Sequence, residues 1–374
     1  MSEFNEYELS QVCSRLSSGK NIPASQVSVE GNFPVYGGNG LRGYTDHFNF
    51  EGECAIIGRQ GAFCGNVRYF SGKAYMTEHA VVVCAKTEHN TRYLAYLLST
   101  MNLGRLSGQS AQPGLSVKTL GKQSIYLPTL EQQNEIVEIL SALDNKIEVN
   151  KQINDNLEQQ AQALYQELFV DNADPEWQQG TICDLGAVVG GSTPSKAKAE
   201  YYTENGIAWI TPKDLSVNKS KFIAHGENDI TELGLKNSSA SIMPKGTVLF
   251  SSRAPIGYIA IAAGEVTTNQ GFKSVVPKPE IGTVFVYYFL KSNLPVIEGI
   301  ASGSTFKEVS GSTMKRVPSF IPDADTLSRF NGFCAPLFAQ QKNLEEQNCY
   351  LAALRDSLLP KLMSGEIEVS DIQL

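Results

Sequence analysis

Histidine, tryptophan and paired cysteine are all scarce in this 374-residue chain. Four histidines, at positions 47, 79, 89 and 225, form no cluster, which leaves little for imidazole acid–base or metal chemistry. The seven cysteines are odd in number and contain no C-x-x-C, so they read as reduced thiols of a cytoplasmic protein rather than a disulfide framework. Cys54, Cys64, His79 and Cys84 come nearest to a metal set, but their spacing fits no common zinc pattern and no metal is expected. No apolar run approaches the roughly 20 residues that span a bilayer. The acidic start, Met1-Ser2-Glu3-Phe4-Asn5-Glu6, lacks the basic-then-apolar order of a secretory signal.

Catalytic motifs are missing as well. There is no G-x-x-x-x-G-K-[ST] phosphate loop and no G-x-S-x-G elbow. Asp174-Pro175-Glu176-Trp177 lacks the second proline of an amino-methyltransferase tetrad, and Pro322-Asp323 has no downstream acid-x-Lys to complete a nuclease metal site. Gly38-Asn39-Gly40-Leu41-Arg42-Gly43 matches G-x-G-x-x-G, yet the aromatic, turn-forming Tyr44–Phe50 follows it instead of a helix, so it reads as a glycine-rich loop. The expectation is a non-catalytic binder.

Net charge is −8, unevenly spread. Residues 1–128 and 175–322 each carry +2, whereas 129–174 carry −8 and 323–374 carry −4. The two longer blocks are thus mildly basic, which permits phosphate binding, and the acid sits in two short blocks. The same division appears as an internal repeat at an offset close to 194. Arg59 pairs with Arg253, Thr77-Glu78-His79-Ala80 with Thr268-Asn269-Gln270-Gly271 (offset 191), Ser107-Gly108 with Ser302-Gly303, and Ser116 with Ser310. Leu127-Pro128 pairs with Ile321-Pro322, and Asn154 with Asn348. The order is globule, helix, globule, helix.

Both helices carry a narrow stripe. Ile136, Leu140, Leu143, Ile147, Asn150, Asn154, Leu157, Ala161, Leu164 and Leu168 follow 4-3 spacing, and eight of these ten are apolar. Adding 194 gives a second series from Phe330 through Gln341, Leu344, Asn348 and Leu351 to Leu362, seven of ten apolar. Such a two-in-seven stripe is a coiled-coil seam. The economical packing of two repeated helices is antiparallel about a pseudo-two-fold axis. Leu143, Ile147, Leu157, Leu344 and Leu351 then pair around a polar centre of Asn150, Asn154, Gln341 and Asn348 that fixes register at a cost in stability. Pro336 and Pro360 are expected to kink or delay the second helix near its ends.

The globules alternate short strands (Cys54–Ile57, Ala80–Cys84, Thr247–Phe250, Tyr258–Ala262, Lys273–Val276) with glycine-rich turns. Each adds an amphipathic helix, Thr91–Thr100 or Val284–Ser292, and then a Ser/Gly loop, Ser107–Ser110 or Ser302–Thr305. The fold class is therefore α+β: two similar mixed α/β domains alternating with two long antiparallel helices. Arg42, Tyr44, Arg59, Gln60, Arg68 and Lys73 crowd the first globule. Lys196, Lys198, Thr211, Lys213, Arg253 and Lys307, with Tyr201 and Tyr202, crowd the second. Arginine and glutamine make bidentate contacts to base edges while lysine and serine hold phosphates, so nucleic acid is the expected ligand.

The layout resembles the specificity subunit of Type I restriction–modification systems. The most telling stretches are Phe33–Gly40 through Gly58–Gly61, Ile207-Ala208-Trp209-Ile210-Thr211-Pro212-Lys213-Asp214-Leu215, and the ending Leu354–Glu366. The first half lacks a visible counterpart of Trp209–Pro212. The resemblance implies a non-catalytic chain with target recognition domains at 1–129 and 171–323, spacer helices at 130–170 and 324–365, and a tail at 366–374. It implies that each domain reads one half of a split site in double-stranded DNA and that the helices set the unread gap. It also implies two modification subunits, which bring S-adenosylmethionine to methylate adenine, and restriction motor-nuclease subunits, which use ATP and Mg. No cofactor is expected in this chain. The alternative is a stand-alone DNA-binding or scaffold protein without a restriction partner.

Inserting one heptad between Asn150 and Asn154 keeps the seam in phase and adds roughly 10 Å at about 1.5 Å per residue. The two half-sites should keep their sequences while the gap lengthens by about three base pairs at 3.4 Å each. Methylome sequencing reads this directly, and an unchanged gap would show that the helices do not set the spacing.

Overall fold

The computed structural model describes residues 4–107, 114–303 and 307–372. They form two compact units, Met1–Ile147 with Tyr350–Leu374, and Glu148–Cys349. Among the described residues no helix is long and apolar enough to cross a membrane.

In the first unit, β1 (Asn5–Glu8) and the one-turn α1 (Leu9–Val12) precede β2 (Cys13–Ser18), β3 (Phe33–Gly37), β4 (Gly40–Thr45), β5 (Phe50–Gly58), β6 (Val67–Met76) and β7 (Ala80–Ala85). Strands β2 to β7 form one sheet in the order β2-β7-β5-β6-β3-β4, antiparallel except where β3 runs beside β6. Helices α2 (Thr91–Thr100) and α3 (Val117–Gly121) follow, capped by Asn90 and Ser116, which accept from the amides of Tyr93 and Thr119. Then β8 (Ser124–Leu127) pairs back onto β1. Strand β5 is buried on both faces, which is why it reads as an unbroken apolar run. Ala55 and Ile57 meet Tyr93, Leu94, Leu97 and Leu98 of α2, together with Ile136, Leu140, Leu362 and Met363 of the long helices. Cys54 and Ile56 face Phe50, Ala74, Met76, Ala80 and Val82 on the other side.

Helix α4 (Leu130–Gln166) runs 37 residues, roughly 55 Å at about 1.5 Å per residue, and closes in a π turn, Glu167–Asp171. The second unit continues with β9 (Gln178–Thr181), α5 (Ile182–Leu185), β10 (Gly186–Gly190), β11 (Tyr202–Thr203), β12 (Ile207–Ile210), α6 (Pro212–Val217), β13 (Phe222–Ile223), β14 (Asn228–Ile230) and α7 (Glu232–Lys236). After these come β15 (Val248–Ser252), β16 (Ile256–Ala262), β17 (Thr267–Thr268), β18 (Lys273–Pro277), α8 (Thr283–Ser292), α9 (Leu294–Gly299), α10 (Gly311–Lys315), β19 (Pro318–Ile321) and α11 (Ala324–Ser364). The main sheets run β10-β18-β15-β16-β13 and β11-β14-β12-β17, and β19 pairs with β9. Phe285, Tyr288 and Phe289 of α8 fill the space between Val248, Phe250 and Val275 of the sheet and Tyr165, Phe169, Phe330 and Phe338 of the helices.

Within each unit the stretches of α4 and α11 pack together, and their register is antiparallel. In the first unit Arg355 Nη1 donates to Asp144 Oδ1 at 2.9 Å. In the second, Asn150 Nδ2 donates to Asn348 Oδ1 at 2.9 Å and Gln341 Nε2 to the Asn154 carbonyl at 3.1 Å. Leu143, Ile147, Asn150, Leu157, Gln341 and Leu344 are buried, while Asn154, Asn348 and Leu351 are half-buried. Neither proline delays the start of the second helix or ends it: α11 is continuous through Pro336 and Pro360. Each ring removes only one of the many hydrogen bonds of a 41-residue helix held by side-chain packing.

Lys221, beside β13, is only 8% exposed and joins the second unit's sheets to both helices. Its ammonium pairs with the Glu158 carboxylate of α4, donates to Gln341 Oε1 of α11 at 2.7 Å, and lies 3.9 Å from the Phe338 ring centroid. Glu158 also accepts from Lys291 Nζ at 2.6 Å and Tyr288 Oη at 2.9 Å, both on α8. Glu345 of α11 takes the backbone amides of Lys221 and Phe222. Burial alone would raise the Glu158 carboxyl, but Lys221 and Lys291 hold it down at about 2. Burial pushes Glu345 the other way, upward.

Because the folded-state pKa of Glu158 lies below its ordinary 4.5, its pairing stabilises the protein fully above that value and is lost as pH falls toward 2. Lys221→Ala leaves the half-buried Glu158 carboxylate with Lys291 and Tyr288 alone and should cost about 1.5–3 kcal/mol in urea unfolding. Lys221→Met combined with Glu158→Gln should recover most of that and flatten the acid limb below pH 4.5. An unfolding midpoint unmoved by Lys221→Ala would show the network to be dispensable.

Candidate nucleic-acid interface

Identical backbone hydrogen bonds build one polar edge in each unit. In the first, Arg59 N donates to His79 O, Thr77 N to Tyr36 O, Ala80 N to Thr77 O, and Leu115 N to Arg59 O. In the second, Ser252 N donates to Gly271 O, Asn269 N to Ile210 O, Phe272 N to Asn269 O, and Val309 N to Ser252 O. These bonds hold the chain after β5 or β15 against the turn before β7 or β18, and that turn against the end of β3 or β12.

This shared frame corrects the repeat register read from sequence. The residue equivalent to Arg59 is Ser252, and Arg253 corresponds to Gln60. Thr77-Glu78-His79-Ala80 corresponds to Asn269-Gln270-Gly271-Phe272, one place along from the expected match. The offset drifts from 192 at the turns to 193 at the strand ends and 194 at Ser116 and Ser310, because the connecting segments differ by single residues. Trp209-Ile210 does have a counterpart in the first half. Ladder pairs Trp209–Thr267 and Ile210–Thr268 match Val35–Tyr75 and Tyr36–Met76. The glycine-rich stretch is a tight hairpin, Gly37 pairing with Gly40, where the second unit inserts α6 and β13.

Four first-unit candidates surround this hairpin tip. A Cβ built on Gly37 would lie 2.8 Å from Arg42 Cδ, one on Gly38 3.4 Å from Gln60 O and 3.7 Å from Arg59 N, and one on Gly40 3.1 Å from Arg68 Cζ. Arg59 is half-buried and its Nη1 reaches Ser18 Oγ at 3.5 Å. Tyr44 lies further along β4, with its backbone bonded to Ser28. Lys73 is held elsewhere: it sits opposite Glu51 across the β5–β6 ladder, 3.5 Å from that carboxylate and over the Phe48 ring.

In the second unit Lys196, Thr211, Lys213 and Arg253 line one open cavity of about 460 Å³. Thr211 caps α6 by accepting from Asp214 N, while Asp214 takes the amides of Thr211 and Glu227. Lys213 Nζ lies 2.6 Å from Glu227, which raises its pKa, and Arg253 lies 3.4 Å from Glu308. Lys213 and Arg253 thus each stand beside a carboxylate at the surface. Lys198 is outside the cavity lining, donating to Tyr201 Oη at 3.0 Å, and Lys307 is exposed next to Glu308. Sequence reasoning missed Thr193, Asn228, Asn269 and Gln270, which also line the cavity. The repeat match at 268–271 was the available signal for the last two. Of the Ser/Gly loops, residues 108–110 and 304–305 lie outside the described residues.

Cys54 and Cys84 belong to the sheet, and burial pushes the Cys54 thiol up to about 12. Among the described residues no group of three or more His, Cys, Asp or Glu is placed to hold a metal ion.

The family described as Type I restriction modification DNA specificity domain matches residues 1–159 and 175–346. The Type I restriction enzyme MjaIX specificity subunit of Methanocaldococcus jannaschii is 44% identical over 155 residues, 41% of this chain and 36% of that one. That alignment thus spans little more than a third of the relative's length. The Type I restriction enzyme HindI specificity subunit of Haemophilus influenzae is 24% identical over 330 residues, covering 68% and 71% of the two chains. The solved Type-I restriction-modification system S subunit from M. genitalium covers 96% of each chain with a TM-score of 0.63 at 17% identity, a likeness of fold.

Two glycines let the frame close. A Cβ on Gly19 would lie 2.1 Å from Met76 O, and one on Gly191 2.1 Å from Asn269 O. Gly19→Ala and Gly191→Ala should each destabilise the protein by about 1–3 kcal/mol in urea unfolding, because the clash is with backbone that cannot rotate away. Wild-type stability in both variants would mean that the turns yield freely.

Proposed function

From the premise that this chain belongs to the Type I restriction–modification DNA specificity family, we propose that it is the non-catalytic reader of a bipartite DNA site. Residues 1–129 and 171–323 each recognise one half-site. The helices at 130–170 and 324–365 set the gap, and 366–374 form a tail. The supporting observation is that two polar edges share one backbone frame yet carry different side chains, Gln60 against Arg253 and Glu78 against Gln270. A common scaffold with a different donor–acceptor code at equivalent positions suits two readers of different sequences.

Arg42, Arg59, Gln60 and Arg68 face the first half-site, and Thr211, Lys213, Lys196 and Arg253 the second. Tyr44, Lys73, Lys198 and Lys307 contribute peripheral phosphate contacts. Two modification subunits carrying S-adenosylmethionine and restriction subunits using ATP and Mg supply the chemistry. The acid of residues 129–174 and 323–374 suits protein-facing surfaces, while the mild basic excess elsewhere suits DNA.

Affinity of the full chain for its DNA should fall steeply with salt, because lysine and arginine contacts release counterions from phosphates. Arg253→Ala and Gln60→Ala should each relax one half-site and leave the other intact, as read by methylome sequencing. A salt-independent affinity, or equal loss of both half-sites in either variant, would overturn the two-reader assignment.

A further inference from the structure

Gln270 sits on the Asn269–Gly271 turn that the second unit clamps at three points. Asn269 N donates to Ile210 O at 3.0 Å, Ser252 N to Gly271 O at 2.7 Å, and Gly271 N to Asn269 Oδ1 at 2.8 Å. The side chain is exposed to the cavity it shares with Lys196, Lys213 and Arg253. An exposed glutamine ordinarily samples many rotamers, and fixing it costs conformational entropy. Here Thr193 Oγ1 donates to Gln270 Oε1 and fixes the amide, while Lys273 Nζ donates to the Gln270 carbonyl at 3.2 Å. The amide nitrogen has no partner among the described residues, and an amide oxygen keeps a second lone pair after accepting one hydrogen bond. A braced side chain with one donor and one acceptor directed to a concave surface is organised for bidentate recognition before the ligand arrives.

Resting on the reading of this chain as a DNA reader, we propose that Gln270, held by Thr193, is a specificity-determining residue that reads an adenine in the second domain's half-site. Nε2 donates to adenine N7 and Oε1 accepts from N6, the pairing glutamine makes in the major groove. Lys196, Lys213 and Arg253 line the cavity together with Asp214 and Glu227, which leaves a small cationic excess for the neighbouring phosphates. The equivalent position in the first unit is Glu78, whose Oε1 lies 3.2 Å from His79 Nε2. A carboxylate has no donor for N7, so the same frame position cannot make the same bidentate pair in both halves.

The test is selection of randomised duplex DNA by the full chain, with sequencing of the enriched pool. The wild type should enrich a bipartite motif with a strongly preferred adenine in one half. Gln270→Ala should lower preference at that single base by about tenfold or more while the remaining positions stay as they were. Gln270→Glu should replace adenine with cytosine there, since a carboxylate accepts from cytosine N4. Thr193→Ala should soften the same position. Thermal unfolding of each variant checks that the exposed substitutions leave the fold intact. Weakening spread evenly over all sequences, or an unchanged motif in Gln270→Ala, would overturn the inference while leaving the chain a DNA reader. A wild-type chain that enriches no motif would instead bring down the functional reading itself.

Discussion

Each unit half-buries a carboxylate of α4 where its sheet domain meets the helix pair, and that charge is met from three directions. In the first unit Asp144 accepts from Tyr96 Oη of α2 and from Arg355 of α11, with Arg92 at 3.8 Å. In the second unit Glu158 accepts from Tyr288 and Lys291 of α8 and from Lys221. A half-buried carboxylate loses hydrogen bonds to charged groups if any of these elements shifts, so each one favours a single placement of its helix, its partner helix and its sheet domain together. Apolar packing around it supplies the bulk of the burial but is less particular about angle. The polar seam residues act in the same way: Asn150 meets Asn348 only in one antiparallel register.

With the helices placed, the sheets place the edge. Central strands β5 and β15 are buried on both faces, so the exposed polar groups of the edge come from the strand ends and the turns beside them. Backbone hydrogen bonds, rather than side chains, tie those ends and turns together. That leaves side chains such as Gln60, Arg253, Glu78 and Gln270 free to differ without disturbing the frame. The two halves diverge accordingly, with a tight hairpin at Gly37–Gly40 in one and the inserted α6 and β13 in the other.

Much of this was legible in the residues themselves. A 3.5-residue stripe over thirty positions has few explanations, so both helices and their polar centre were readable, and the apolar runs marked β5, β7, β15, β16 and β18. Register at single-residue resolution was not. Arg59 and Arg253 share a residue type and a place after an apolar strand, yet the hydrogen bonds align Arg59 with Ser252. Val35-Tyr36 and Trp209-Ile210 occupy one frame position with no residue in common, so no sequence match could join them. Lys73 illustrates the other limit: a lysine near other cations in the chain lies opposite Glu51 once the β5–β6 ladder forms.

The alternation of two mixed domains with two long helices, the seam and its polar centre, and the lack of recognisable catalytic motifs are all written in the linear chain. These depend on periodicity and composition, which are properties of contiguous residues. Folding alone brings together the residues of each polar edge, sets Gln270 beside Thr193 and Arg253, and joins Lys221 to Glu158 sixty-three positions away. Those juxtapositions arise from strand order and long-range backbone hydrogen bonding, and chain separation carries no record of either.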